Sequence, residues 1–524
     1  MASDPRVAAL LFALLYGTAL GAEGAPRPTT GAAHRPKPAQ AEADWGYAIG
    51  PAPSWVVPAR ERASAPVVPS PMHYRVIDEQ NRVSGKSEAD YIHVVRVVND
   101  SSGLTPAARI EVEFDPSFQK LTLHHLDLVR DGRRLSRLGK RYPLLRRETQ
   151  LERQVYDGRQ TLSIVVDDVR VGDQIDYAFT LTGSNPVFEG KFVRMVWLRN
   201  VRGPEALHQV RLLAPLARDI HFTPAKDVQV QTRTLGEWRE TVFRREATPQ
   251  MSMDPQTPYI AVFPDVVLFS EFADWAEVAR WGTRLFPPGS GELLDQQAEA
   301  IRRRAEAPAA RLLAALDFVQ KDVRYFGTEI GPNTHLPVPP EQVLKQRFGD
   351  CKDKVALLVA LLARLGISAT PVLVSTSLHG DSVSLLPSPL DFDHVIARVS
   401  LDGTTYFLDA TRSHQSGELS RRQAIGLGQG LPLSAGVAAP IPLPAAFDTE
   451  RLVAHDVIRF ARFQDDPSLE SRITYRGDLA EATREALAKG SLADIATQMS
   501  AAVPQAVSKG TRQRPVAGGA VDRG

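Results

Sequence analysis

One cysteine in 524 residues is the scarcest feature of this sequence, and its solitude removes several readings together. No disulfide can form within the chain, and a zinc site built on paired thiolates is ruled out. Charge excess is also missing. With 62 Lys and Arg against 61 Asp and Glu, the formal net charge is +1, which gives no argument for a nucleic-acid partner. Long apolar runs are absent: Val7 to Tyr16 is about half of the ~20 residues that a membrane-spanning helix needs. No run of closely spaced carboxylates resembles a calcium loop, so neither a metal nor another cofactor is expected.

The one short apolar run has a meaning of its own. Arg6, the segment Val7 to Tyr16, and the small residues of Ala19-Leu20-Gly21-Ala22 read as a secretory signal over residues 1–22. The mature chain is therefore expected to be exported, periplasmic or secreted, with no transmembrane span once the signal is removed. In an oxidising compartment an unpaired cysteine points to an intermolecular bridge or a reactive thiol.

Composition divides the remainder. Residues 23–68 are rich in Ala, Pro and Arg and read as a linker, with Trp45, Tyr47 and Trp55 either docked locally or decorating an extended arm. Residues 69–255 carry short alternating segments, among them 91–98, 108–114, 121–129 and 174–182, separated by Asp-Gly and Gly-Asp turns. This pattern predicts an all-β sandwich. His93, His124 and His125 fall on its strands and are expected to be surface histidines, since no cysteine or tight carboxylate cluster adjoins them in sequence. Residues 256–435 change to helical stripes over 272–286, 293–304 and 308–323, followed by strands, which predicts an α+β domain. Residues 436–524 read as a short β/α region, two strands and a helix, with a Gly-, Pro- and Arg-rich tail.

The lone cysteine lies in Gly349-Asp350-Cys351-Lys352-Asp353-Lys354, at the mouth of an apolar helix that Gly366 should end. Asp350 is a suitable N-cap, and Asp353 three residues on can reach back to the cap's own amide. Cys351 then occupies the first turn, where free N–H groups and the helix dipole favour a negative sulfur. Further on, Asp402-Gly403 between two alternating segments predicts a two-residue hairpin turn. It would pair Leu401 with Thr404 and Ser400 with Thr405, making Asp409 a diagonal neighbour of His394. The intervening residues Val395, Ala397, Val399, Leu401, Tyr406 and Leu408 form an apolar face for a neighbouring layer. A thiol, an imidazole and a carboxylate so arranged can perform acyl transfer through a cysteinyl intermediate.

These motifs, together with Phe392-Asp393-His394-Val395, Tyr406 to Thr411 and the upstream Val323-Arg324-Tyr325-Phe326-Gly327, resemble the bacterial transglutaminase-like (papain-like) superfamily. Tyr156-Asp157-Gly158, Asp168 to Asp173 and Gly183 to Phe188 resemble the uncharacterised β domain that precedes such modules. The resemblance covers roughly residues 70–430. It implies Cys351 as nucleophile, His394 as general base and acid, and Asp409 as its orienting partner. The Cys351 backbone amide is expected to contribute to an oxyanion site, with His335 or Asn333 as candidate second donors or as purely structural loop residues. A peptide, protein or cell-wall substrate is expected. The alternative is a catalytically silent periplasmic binding or assembly module whose working part is the β domain. Hydrolysis versus transfer to an amine stays open at this level, as does oligomeric state.

Overall fold

The computed structural model describes residues 46–59, 70–198, 203–223, 225–251, 265–379, 386–445, 452–462, 468–491, 493–494 and 497. The secretory segment and residues 23–45 of the expected linker lie outside these.

Residues 46–59, read as linker, lie on the β domain instead. Tyr47 is buried in its core, and Ala48–Ile49 adds a parallel edge strand against Thr122 and Leu123. Trp55 accepts a 2.9 Å bond from Arg211 through its carbonyl. A proline-rich stretch can pair at a sheet edge because only one side of its backbone must find partners.

The N-terminal domain is mainly β, as its alternation predicts. Its large sheet runs Ala48–Ile49, Lys120–Arg130, Gln174–Thr182, Ser87–Val98, Met72–Ser84, Glu205–Pro215, Trp238–Thr248 and Gln229–Leu235, with Arg133–Ser136 paired to the second of these. A three-stranded sheet, Arg109–Phe114, Gln160–Val165 and Leu144–Leu145, covers one part of it. Ile110, Val112, Leu162 and Ile164 meet Leu126, Leu128, Ile175 and Tyr177 there. A second small sheet, Val193–Trp197, Val266–Ser270 and His221–Phe222, packs Val196, Val267 and Phe269 against Val210, Leu212 and Phe243. The sandwich therefore has one broad layer and two short ones.

The following domain places helices Trp275–Leu285, Glu292–Arg304, Pro308–Asp317, Pro340–Gln346 and Cys351–Arg364 with a five-stranded antiparallel sheet. The strand order is Thr404–Leu408, His394–Leu401, Ser368–Val374, Gln429–Pro432 and Ile441–Pro442. Val355, Leu357, Leu358, Leu361 and Leu362 of the Cys351 helix are fully buried and meet Val395, Ala397, Val399 and Leu408 of the hairpin. At ~1.5–3 kcal/mol per side chain, those five contribute on the order of 10 kcal/mol before the entropy of ordering is subtracted. Gly366 ends the helix at φ +75°, as read from sequence.

One helical reading needs correction. The stripe over 308–323 predicts a single helix, but the α-helix stops at Asp317 and Phe318–Asp322 forms a π-helical turn. The carbonyls this frees are taken up by a buried lysine: Lys354 Nζ donates to Val323 O (2.7 Å) and Gln320 O (3.4 Å).

The two domains share hydrogen bonds. Gly327–Thr328 pairs in parallel with Val155–Tyr156 of the β domain, and Asn185 donates to Gly331 O and Thr334 Oγ1, both at 3.0 Å. The C-terminal segment forms a separate compact unit, with Leu452–Arg459 and Ser468–Tyr475 antiparallel and the helix Gly477–Lys489 following. Among the described residues, no helix is long and apolar enough to cross a membrane.

Candidate active site

Cys351 is held by its helix start. Asp350, extended at φ −86° and ψ −166°, accepts from Lys352 N (3.1 Å) and Asp353 N (3.3 Å), while Asp353 Oδ2 accepts from Asp350 N at 3.1 Å. The reciprocal cap satisfies donors that the first turn would otherwise leave open. Its other oxygen takes Val338 N at 2.7 Å, tying the preceding loop to the helix mouth. Gly349 has no room for a side chain, since a Cβ there would lie 2.6 Å from Asp353 Cβ. Burial and the nearby Asp350 push Asp353 up to about 6. Lys352 is buried too and forms an ion pair with Asp350; burial alone would depress its pKa, but the Asp350 charge raises it.

The hairpin has the register read from sequence. Leu401 pairs with Thr404, Ser400 with Thr405 and Ala397 with Leu408, around Asp402 and Gly403 at φ +49° and +77°. The strand ends at Leu408, so Asp409 follows the last ladder pair instead of lying within the ladder as a diagonal neighbour of His394. His394 Nε2 lies 3.0 Å from Asp409 Oδ2. Asp409 Oδ1 accepts from Thr411 N (2.8 Å) and Thr411 Oγ1 (2.7 Å), and Gln320 Nε2 donates to the Asp409 carbonyl at 2.8 Å. With Nε2 engaged by Asp409, the second ring nitrogen of His394 is the one left to face Cys351, whose side chain helps raise the His394 pKa.

Electrostatics follow this chain of contacts. Burial disfavours the charged imidazole, but the Asp409 carboxylate and the contact with Cys351 outweigh it and raise His394 well above its ordinary pKa. Burial likewise opposes ionisation of Asp409, yet His394 and Thr411 hold it well below the usual carboxylate range. A proton shared between His394 and Asp409 therefore resides on the imidazole.

His335 and Asn333 sit elsewhere in their loop. His335 Nδ1 is 3.0 Å from Thr334 Oγ1, and its ring packs edge-on against Phe188 and Trp281. Burial and the nearby Lys352 push its pKa down to about 4. Asn333 N donates to Ile330 O at 3.1 Å. No described contact joins either residue to Cys351, His394 or Asp409.

Several groups near the site carry no sequence signal of their own role. Tyr325 pairs with Gly349, just before Cys351, and burial with the negative charge around Cys351 raises its hydroxyl pKa far above the usual range. Lys354 is pushed down to about 8 by burial. Asp391, three residues before His394, is buried with no partner for either carboxylate oxygen, and burial pushes it up to about 8. Gln320 owes its position to the π-turn, which a 3.6-residue stripe does not reveal.

A cavity of about 360 Å³ lies between the two domains, lined by Asp157, Asn185, Phe188, Arg194, Glu329 and His335 among others. Glu329 lies 3.6 Å from Lys352 Nζ, next in sequence to Cys351.

Comparison with known proteins agrees with this architecture. Residues 295–408 match the transglutaminase-like superfamily, and residues 85–251 match a domain of unknown function, DUF3857. A solved structure of a candidate protease from Parabacteroides distasonis is 12% identical, with TM-score 0.59 over 72% of each chain, and shares the fold. A candidate cysteine protease from Cytophaga hutchinsonii, also 12% identical, covers 54% of this chain and 84% of its own at a TM-score of 0.22, too loose a superposition to carry an argument. No curated protein sequence matches the chain.

Proposed function

From a chain whose residues 295–408 belong to the transglutaminase-like superfamily, behind a DUF3857 domain, we propose an exported cysteine enzyme that cleaves or transfers amide bonds through a thioester. The observation that carries the reading is His394, held by Asp409 at 3.0 Å and near enough to Cys351 for the thiol to raise its pKa. In the proposed cycle the sulfur attacks the amide carbonyl and the imidazolium protonates the departing amine. Water or a second amine, deprotonated by His394, then attacks the thioester and releases Cys351. Asp409 holds the ring orientation and supports its positive charge, and Thr411 and Gln320 hold Asp409.

The oxyanion forming at the carbonyl would sit near the Cys351 amide, in the first turn where N–H groups have no helical acceptor. His335 and Asn333 remain candidate second donors only if their loop moves toward the thiol. The interdomain cavity is the proposed course for a peptide, protein or cell-wall chain, which would give the β domain a part in substrate selection. Export rests on the reading of residues 1–22 as a secretory signal.

Alkylation of the full chain near neutral pH tests the chemistry. Labelling at Cys351 should be fast in the native protein and slow markedly in His394→Ala. Labelling no faster than that of a free thiol would instead favour a silent binding module. Amide donors assayed with and without an added primary amine, with ammonia release followed, decide between hydrolysis and transfer. Cys351→Ala should lower turnover by at least ~10³-fold.

A further inference from the structure

Asp176 lies on the strand Gln174–Thr182, between the strands Ser87–Val98 and Lys120–Arg130. Ala178 of the same strand faces His93 across one ladder and His125 across the other. Residues opposite each other, and those two positions along, share a face of the sheet. The two imidazoles and the Asp176 carboxylate therefore converge, while Ile175, Tyr177 and Phe179 turn into the core on the opposite face. His93 Nε2 and His125 Nε2 each lie 2.8 Å from the same oxygen, Asp176 Oδ1, and the three atoms are within 4.8 Å of one another. The carboxylate between the two histidines is distant in sequence and adjacent only across the ladder.

We propose that His93 Nε2, His125 Nε2 and Asp176 Oδ1 form a binding site for a divalent transition-metal ion of the zinc class. The donor set is two imidazoles and one carboxylate, a combination that suits such ions and not the all-oxygen preference of magnesium or calcium. Bonds of about 2.05 Å at right angles place neighbouring ligand atoms about 2.9 Å apart, and tetrahedral angles about 3.3 Å. The two N···O spacings of 2.8 Å meet the first and need an outward shift of about half an ångström for the second, and the two nitrogens lie within 4.8 Å of each other. The histidine side chains keep 22% and 30% exposure, so an ion can enter from solvent and retain water ligands.

Surrounding groups fix the carboxylate without closing the site. Arg134 donates to the other oxygen, Asp176 Oδ2, at 2.7 Å, and also to Asp127 Oδ2 at 2.9 Å. Asp78, opposite His93 on the next strand, is buried and bonded to Gln80 and Gln209. On binding, each Nε2 exchanges its N–H···O bond to Asp176 Oδ1 for a metal bond, its proton passing to solvent while the neutral ring carries one on Nδ1. Because the ligands come from three strands, the ion would pin their relative register.

The test uses the full chain carrying Cys351→Ser, which keeps the thiol from competing for metal and makes the result independent of the proposed acyl chemistry. After chelator treatment, Zn²⁺, Ni²⁺ or Mg²⁺ is added, and bound metal and melting temperature are measured. Expected are about one equivalent of bound Zn²⁺ with a rise in melting temperature, a similar response to Ni²⁺, and none to Mg²⁺. Both effects should disappear in His93→Gln/His125→Gln, whose amides can still donate to Asp176, and weaken at least ~10-fold in Asp176→Asn. Circular dichroism identifies variants that keep the fold. Absence of stoichiometric Zn²⁺ binding, or undiminished binding in the folded double variant, would overturn the proposal.

Discussion

At His394 two effects oppose each other. Burial favours a neutral ring, whereas Asp409 and Cys351 favour a charged one, and the raised pKa says that the second pair wins. Asp409→Asn removes the larger stabilising charge. The basic limb of the kcat/KM profile, where His394 loses its proton, should move to lower pH, and kcat should fall by ~10²–10⁴-fold. A pH–rate profile of the variant checks both, and an unmoved limb would mean that His394 is not the titrating acid. Asp391 presents the opposite case, a buried carboxyl with no counter-charge and a pKa near 8 against an ordinary 3.8. Between those values the folded state holds a proton that the unfolded chain has released, so stability falls as pH rises from about 4 to 8. Asp391→Asn removes that slope. Its urea midpoint should match the native protein near pH 4 and exceed it at pH 9, where the unfolding free energies should differ by at most roughly 6 kcal/mol.

The helix mouth is the element on which the sulfur depends. Asp350 and Asp353 close the cap reciprocally, and Gly349 gives Asp353 the space to do so. Gly349→Ala would drive a methyl into Asp353 and open the cap. The expected loss is about 1–2 kcal/mol in denaturant unfolding, with slower alkylation of Cys351. Unchanged alkylation at reduced stability would show that the cap supports the fold without setting the thiol's reactivity. The π-turn Phe318–Asp322 is the second such element, bringing Gln320 to Asp409 and its own carbonyl to Lys354.

For the whole molecule, the contact between domains is specific. The turn Pro186–Phe188 of the β domain reaches helix Trp275–Leu285, where Trp281 Nε1 donates to Val187 O at 2.8 Å and Val187 packs with Phe272, Trp275 and Trp281. Trp281→Ala should cost about 3–5 kcal/mol. Hydrogen exchange should quicken in both residues 186–188 and 275–285; protection lost from the helix alone would mean that the domains are held by their shared strands and Asn185 instead.

The local pattern of residues determined much of this protein. Alternation specified the β domain because one face of each strand meets a core, and Asp402-Gly403 fixed the hairpin register because few residues adopt positive φ twice in succession. The cap at Cys351 was legible for the same reason, since its donors and acceptors are three residues apart. Tertiary structure alone decided what distant segments do to each other. It brought Asp176 between His93 and His125, laid residues 46–59 on the sheet, turned His335 toward Phe188 and Trp281, and buried Asp391 without a partner. Periodicity reports which face of an element is buried, but the identity of the group waiting there depends on strand order and domain packing, which no local pattern encodes.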